Sequence, residues 1–170
     1  MPIEPDTKNW TWVLDHACVD CGFDASTVDY GAIPKLLRDN AQSWAAVLDR
    51  PDVRQRPDES TWSPLEYAAH VRDADLLFRE RLTLMLAEVD PPFADWDQDA
   101  TAVEGDYNAQ DPAVVGKDLV AAEPGVVATA RRSLSNRSPG TSSTIRSIIC
   151  TTSISRTRSS FCRSVVTVTS

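Results

Sequence analysis

Chemistry in this 170-residue chain must come from few side chains, because it holds only two histidines and four cysteines. His70 is the sharpest candidate. Tyr67, His70, Ala74, Leu77, Arg81 and Leu84 recur at three- and four-residue spacing, which places the imidazole in the inward stripe of an amphipathic helix. An imidazole there is either hydrogen-bonded within the core or bound to a metal, and one histidine is not by itself a centre that takes three or four ligands. His16, Cys18 and Cys21 set further soft ligands close together. A structural zinc site needs a second pair, and the other cysteines are Cys150 and Cys162, far along the chain. A redox Cys-x-x-Cys usually follows a strand, and no strand pattern precedes this one, so the segment reads as a loop packed on the rest. Asp95, Asp97 and Asp99 open like a calcium loop. Its sixth position would be Ala100 where glycine is needed and its twelfth Asp106 where a bidentate Glu is needed, so a solvated acidic loop is the better reading. Asp73, one turn beyond His70, can orient an imidazole or pair with Arg72 or Arg79. The chain has no G-x-S-x-G elbow, no G-x-G-x-x-G and no P-loop.

The elements that must position these groups read as helices. Asp29 offers an N-cap ahead of Pro34, and Ile33, Leu37, Ala41, Trp44 and Leu48 recur at helical spacing until Arg50-Pro51, a helix of about five turns. Ser63-Pro64-Leu65-Glu66 is a capping box with proline at the first helical position, which accounts for Glu66 without a catalytic role. The helix it starts is predicted to run to about Glu88, before Pro91-Pro92. Asp111-Pro112 opens a third helix over Ala113 to Glu123, where it is expected to be interrupted. Three capped helices without a strand pattern predict an all-α antiparallel bundle.

Charge divides the chain at Glu123. All 25 acids lie at or before it, with 10 of the 17 bases; Pro124 to Ser170 carries seven arginines and no acid, Lys, His, Trp or Tyr. An acidic body argues against nucleic acid as its partner, since phosphate contacts need clustered cations. No apolar run reaches the roughly 18 residues of a membrane span. Met1 to Trp12 lacks the basic and apolar regions of a secretory signal, so a cytoplasmic protein with free thiols is expected. The Ser/Thr/Arg tail has the composition of a disordered segment, and its aliphatics at Ile145, Ile148, Ile149, Val165, Val166 and Val168 follow no helical stripe.

Trp62-Ser63-Pro64-Leu65-Glu66-Tyr67-Ala68-Ala69-His70-Val71-Arg72-Asp73 resembles the second-helix signature of the DinB-like superfamily of metal-binding four-helix bundles. Cys18-Val19-Asp20-Cys21-Gly22-Phe23-Asp24 and Phe93 to Thr101 look like segments of its actinobacterial members, so the resemblance covers roughly Lys8 to Glu123. It implies three histidines on a divalent metal, zinc or nickel, one from the second helix and two from the last. The position matching the first is His70. It further implies a metal that activates a low-molecular-weight thiol such as mycothiol for transfer or isomerisation, since a metal holds sulfur as thiolate near neutral pH.

The last two ligands have no counterpart, because no histidine follows His70. A change of reading frame accounts for this. Read one nucleotide earlier with GC-rich codons, Asn136 to Gly140 can spell E-S-L-A-R, and Thr141 to Ser153 can spell Y-L-V-H-D-P-L-D-H-L-H-D-V, which resembles the family's last helix. Thr and Ile codons begin AC and AT, so the shifted codon is Tyr, His, Asn or Asp; they stand where the family needs His or Asp. The resemblance therefore implies residues 1–123 as a partial DinB-like domain, its last helix lost, and 124–170 as an irregular out-of-frame tail. It implies a protein without metal-dependent catalysis, with uncovered apolar faces and marginal stability. The alternatives are a non-catalytic helical homodimer or binding module, and, less favoured, nucleic-acid binding by the arginine tail.

Overall fold

A computed structural model describes residues 16–17, 24–27, 29–89 and 91–135. Among these residues every regular element is helical, so the all-α class stands. Helix α1 spans Ile33–Leu48 and buries Ile33, Leu37, Ala41, Trp44 and Leu48, the face read from its spacing, together with Asn40 and Val47. Asn40 is tolerated inside because its Oδ1 accepts the Trp44 indole N–H at 3.2 Å. Asp29 works one turn earlier than expected: it accepts the Gly31 N–H at 3.0 Å and starts a 3-10 turn over Tyr30–Ala32 that leads into α1.

Helix α2, Pro64–Ala87, begins on the predicted box. The Glu66 N–H donates to Ser63 Oγ at 3.3 Å and the Ser63 N–H donates to Glu66 Oε2 at 2.7 Å, so two amides that the first turn leaves open are paired. Its first two turns are buried almost all round. Beyond Ala74 the buried positions are Asp75, Phe78 and Leu82, while Leu77, Arg81 and Leu84 are only half-buried. The expected stripe is thus displaced by roughly one residue, about 100° around the axis. The cause is a second neighbour: helix α4 lies mainly on α2, and it also lies on α1.

The acidic segment contains a short helix, α3, over Gln98–Glu104, where a loop was expected. Asp97 explains the difference, since its Oδ1 accepts the N–H groups of Asp99 at 3.1 Å and Ala100 at 2.8 Å. After Gly105, Asp106 takes a left-handed conformation (φ 43°), one of the few non-glycine types that does so readily. That turn delivers the 3-10 segment Tyr107–Ala109 and points Tyr107 into the core. The core joins Trp44, Leu48, Val53, Trp62, Leu65, Tyr67 and Val71 to Tyr107 and to Val115 and Leu119 of α4.

Helix α4 spans Pro112–Ser135 and does not stop at Glu123. Ala128, Ala130, Arg131 and Arg132 are good helix formers, and burial of Val127 and Thr129 opposes what Pro124 costs inside the helix, a lost backbone donor and a ring clash with the preceding turn. The buried face continues from Val115, Leu119 and Ala122 to Val127 and Thr129. Gly125 passes so close to α2 that a Cβ there would lie 2.6 Å from Arg79 Cδ. The irregular tail expected from Pro124 is therefore helical as far as Ser135, and residues 136–170 of that expectation lie outside the described residues. A chain ending at Glu123 is predicted to be less stable than one ending at Ser135 by about 2 kcal/mol, the order of one buried valine and its helix. Urea unfolding of the two would show it, and equal midpoints would mean that this stretch adds nothing.

Leu76, Leu77 and Leu84, with Asp73, Arg79, Glu80 and Thr83, line a shallow groove of about 630 Å³ on the side of α2 away from its buried face. No helix among the described residues is long and apolar enough to cross a membrane.

Candidate functional site around His70

The capping box fixes where α2 starts, and its second turn then carries His70 inward to 3% exposure. Two indoles flank the imidazole. Trp62, just ahead of the box, lies 5.2 Å away at 55°, and Trp96, on the segment before α3, stacks at 5.2 Å and 4°. Trp62 also meets Tyr67 edge-on at 5.5 Å and Tyr107 at 6.5 Å, so the histidine closes one side of an aromatic cluster. Sequence spacing located His70 but neither tryptophan. Trp62 abuts the box and was within reach of local reasoning, whereas nothing in the acidic segment ties Trp96 to α2.

Both oxygens of Asp73 are engaged by groups other than the imidazole. Its Oδ2 accepts the Tyr107 hydroxyl at 2.5 Å and its Oδ1 pairs with Arg72 Nε at 2.7 Å, the second of the partners foreseen for it. Arg72 Nη1 donates in turn to Gln110 Oε1 at 2.8 Å. Burial, then the hydrogen bond to Asp73 and its charge, push the Tyr107 phenol far above its ordinary range. It is a neutral donor near neutral pH, and no acid catalyst there.

Glu66 does more than cap. Arg56 donates from Nε to Glu66 Oε2 at 2.9 Å and from Nη2 to Oε1, tying the loop before the box to α2. Nearby, Ser63 Oγ donates to Asn108 Oδ1 at 3.0 Å, and Arg54 donates to the Asn108 and Gln110 carbonyls, the latter at 2.8 Å. These bonds hold the Tyr107 segment against the start of α2.

Asp97 is an N-cap, and Asp95 is exposed on the preceding segment. Cys18, Cys21, Cys150 and Cys162 lie outside the described residues, and His16 is exposed. Among the described residues no three His, Cys, Asp or Glu side chains form a group that could hold a metal. The groups seen against the imidazole are indoles, whose ring nitrogen donates a proton and offers no lone pair to a cation. With two histidines in its sequence, the chain cannot by itself supply a three-histidine centre. What the arrangement can do is hold one imidazole in a fixed plane inside an aromatic wall. No family model, curated protein or solved structure matches this chain.

Proposed function

We propose that this chain is a DinB-like bundle in which His70 is the one retained ligand of a three-histidine metal centre, the other two being lost to a change of reading frame. The observation that carries this reading is the place of His70: inward, in the second turn of α2, behind an intact capping box. In intact relatives the metal would supply a thiolate near neutral pH for transfer or isomerisation. In this chain α2 orients His70 and the indoles exclude water from its faces, and no step of that chemistry follows from these residues alone. The chain as it stands is read as non-catalytic.

The test is to restore the shifted frame across residues 124–153. The restored protein should bind about one zinc or nickel ion per chain, and His70→Ala should lower metal affinity by about 100-fold or more, measured by metal analysis after dialysis. A restored protein without metal would overturn the reading, and codons unable to spell the shifted peptide would remove its genetic half. A second reading, a non-catalytic helical homodimer or binding module, has the leucine-lined groove of α2 in its favour. It requires that this chain, unrestored, be soluble and cooperative in unfolding without metal.

A further inference from the structure

The groove on the outer side of α2 is lined by Leu76, Leu77 and Leu84, with Glu80 standing among them. Leu76 is 38% exposed and the other two are half-buried, so an occupant would take a row of leucines out of water. Glu80 has no ion-pair partner among the described residues. The groove borders α4, because Arg79 both lines it and lies against Gly125. Helices α2 and α4 also run in one direction: Ser63 bonds Asn108, Arg72 bonds Gln110, and Arg79 meets Gly125. Beyond Gly125, α4 rises about 15 Å to Ser135, and beyond Arg79, α2 rises about 12 Å to Ala87. The chain therefore leaves α4 close to the Leu84 end of the groove.

We propose that the chain fills this groove itself, with Thr144-Ile145-Arg146-Ser147-Ile148-Ile149 as the occupant. These hold the first aliphatic residues after Ser135. Residues 136–143 can span up to about 27 Å when extended, and the groove from Asp73 to Leu84 is about 16 Å long, so the segment reaches it. Entering at the Leu84 end, it sets Ile145 by Leu84, Arg146 by Glu80, and Ile148 and Ile149 by Leu77 and Leu76. Burial of aliphatic surface is non-directional, so this occupant needs no helical stripe. Charge favours it over a second copy of the chain: residues 136–170 carry arginines and no acid, whereas a second copy brings one acidic body against another. The tether adds to this, since it holds the segment near the groove at an effective concentration on the order of millimolar. The proposal concerns the chain as written, whatever the origin of its tail, and does not rest on the reading of His70. Its consequence is a groove closed to outside partners until the tail leaves.

Cys150 adjoins the segment and supplies the probe. In the full chain carrying Cys18→Ser, Cys21→Ser and Cys162→Ser, Leu76→Cys should form an intrachain disulfide with Cys150 under diamide. The rate should be about tenfold or more above that of Gln42→Cys, an exposed position on α1, by mass spectrometry of non-reduced peptides. Arg146→Glu should slow the Leu76→Cys reaction about threefold, the order of one exposed ion pair, and adding Glu80→Lys should restore it. Equal rates at positions 76 and 42 would overturn the proposal, since a tail that roams the surface reaches both. A disulfide that forms faster between two copies through position 76 than within one chain would also overturn it, in favour of a second copy in the groove. If Leu76→Cys loses the far-UV helical signal, Thr83→Cys takes its place, and a rate there equal to that of Gln42→Cys overturns the proposal. A rate that Arg146→Glu leaves unchanged would overturn the pairing with Glu80.

Discussion

Tyr107→Ala is expected to destabilise the protein by about 4 kcal/mol, a large share of the 5–15 kcal/mol typical of a domain. Tyr107 is 1% exposed and the largest of the fully buried side chains. Removing its ring opens a cavity bounded by Trp62 and by the backbone turn at Gly105, where a Cβ would already lie 3.0 Å from the tyrosine Cε1. The surroundings have little freedom to collapse into that space, because Asn108 and Gln110, which follow Tyr107, are held by Arg54. The hydroxyl adds a separable part. Tyr107→Phe keeps the packing and loses the donor to Asp73, which retains Arg72, so a cost of about 1.5 kcal/mol is expected, near the lower end for a bond to a charged acceptor. Urea unfolding with an unchanged dependence on denaturant would measure both. A Tyr107→Ala loss below about 1 kcal/mol would mean that the 107–109 segment is not packed in solution as described here.

The contrast between Tyr107 and Ser63 shows what the sequence could disclose. Ser63 and Glu66 are three residues apart and announce their bond by residue type alone, as do Pro64 and the periodic face of α1. Tyr107 meets Asp73 across 34 positions, and Trp96 meets His70 across 26, and no local pattern encodes such pairs. The inward setting of His70 was legible for the same reason as the cap, yet the stripe drawn through it drifted off by Leu77. Periodicity gives a face its shape, but the neighbour decides which of two adjacent faces is buried, and α2, on which α4 mainly lies, buries Phe78 and Leu82 in place of Leu77 and Arg81. Helix α3 was hidden by its own cap. Three alternating aspartates look like a cation loop until one carboxylate is seen to be spent on the amides of Asp99 and Ala100. Past Glu123 the acids vanish and the helix does not, since composition marks selection on charge while Ala and Val still satisfy a helix packed on α2.

Glu66→Ala is the second large loss expected, about 3 kcal/mol at neutral pH. Its carboxylate joins three things at once: the open Ser63 amide, the Arg56 guanidinium and the first turn of α2. Losing the cap accounts for about 1 kcal/mol. The rest comes from stranding Arg56, whose side chain is 29% exposed and can partly turn to water, so the loss falls below that of a fully buried pair. Burial pushes the Glu66 carboxyl up, but the bonds from Arg56 and Ser63 outweigh it and hold the group below its usual 4.5. A carboxyl depressed on folding binds its proton more readily in the unfolded chain. Its stabilisation is therefore complete above the unfolded value, from about pH 5 upward, and is lost as pH falls through the lower folded value. Glu66→Gln keeps an oxygen for the Ser63 amide and removes the charge, so the stability gap between it and the unsubstituted chain should be constant from pH 7 to about 5 and then narrow toward pH 3. Asp24, Asp52 and Asp58 are depressed too, each by bonds present in both proteins, and cancel from that difference. A gap that stays constant down to pH 3 would place the contribution of Glu66 in its packing and its cap, and leave the Arg56 pair without energetic weight.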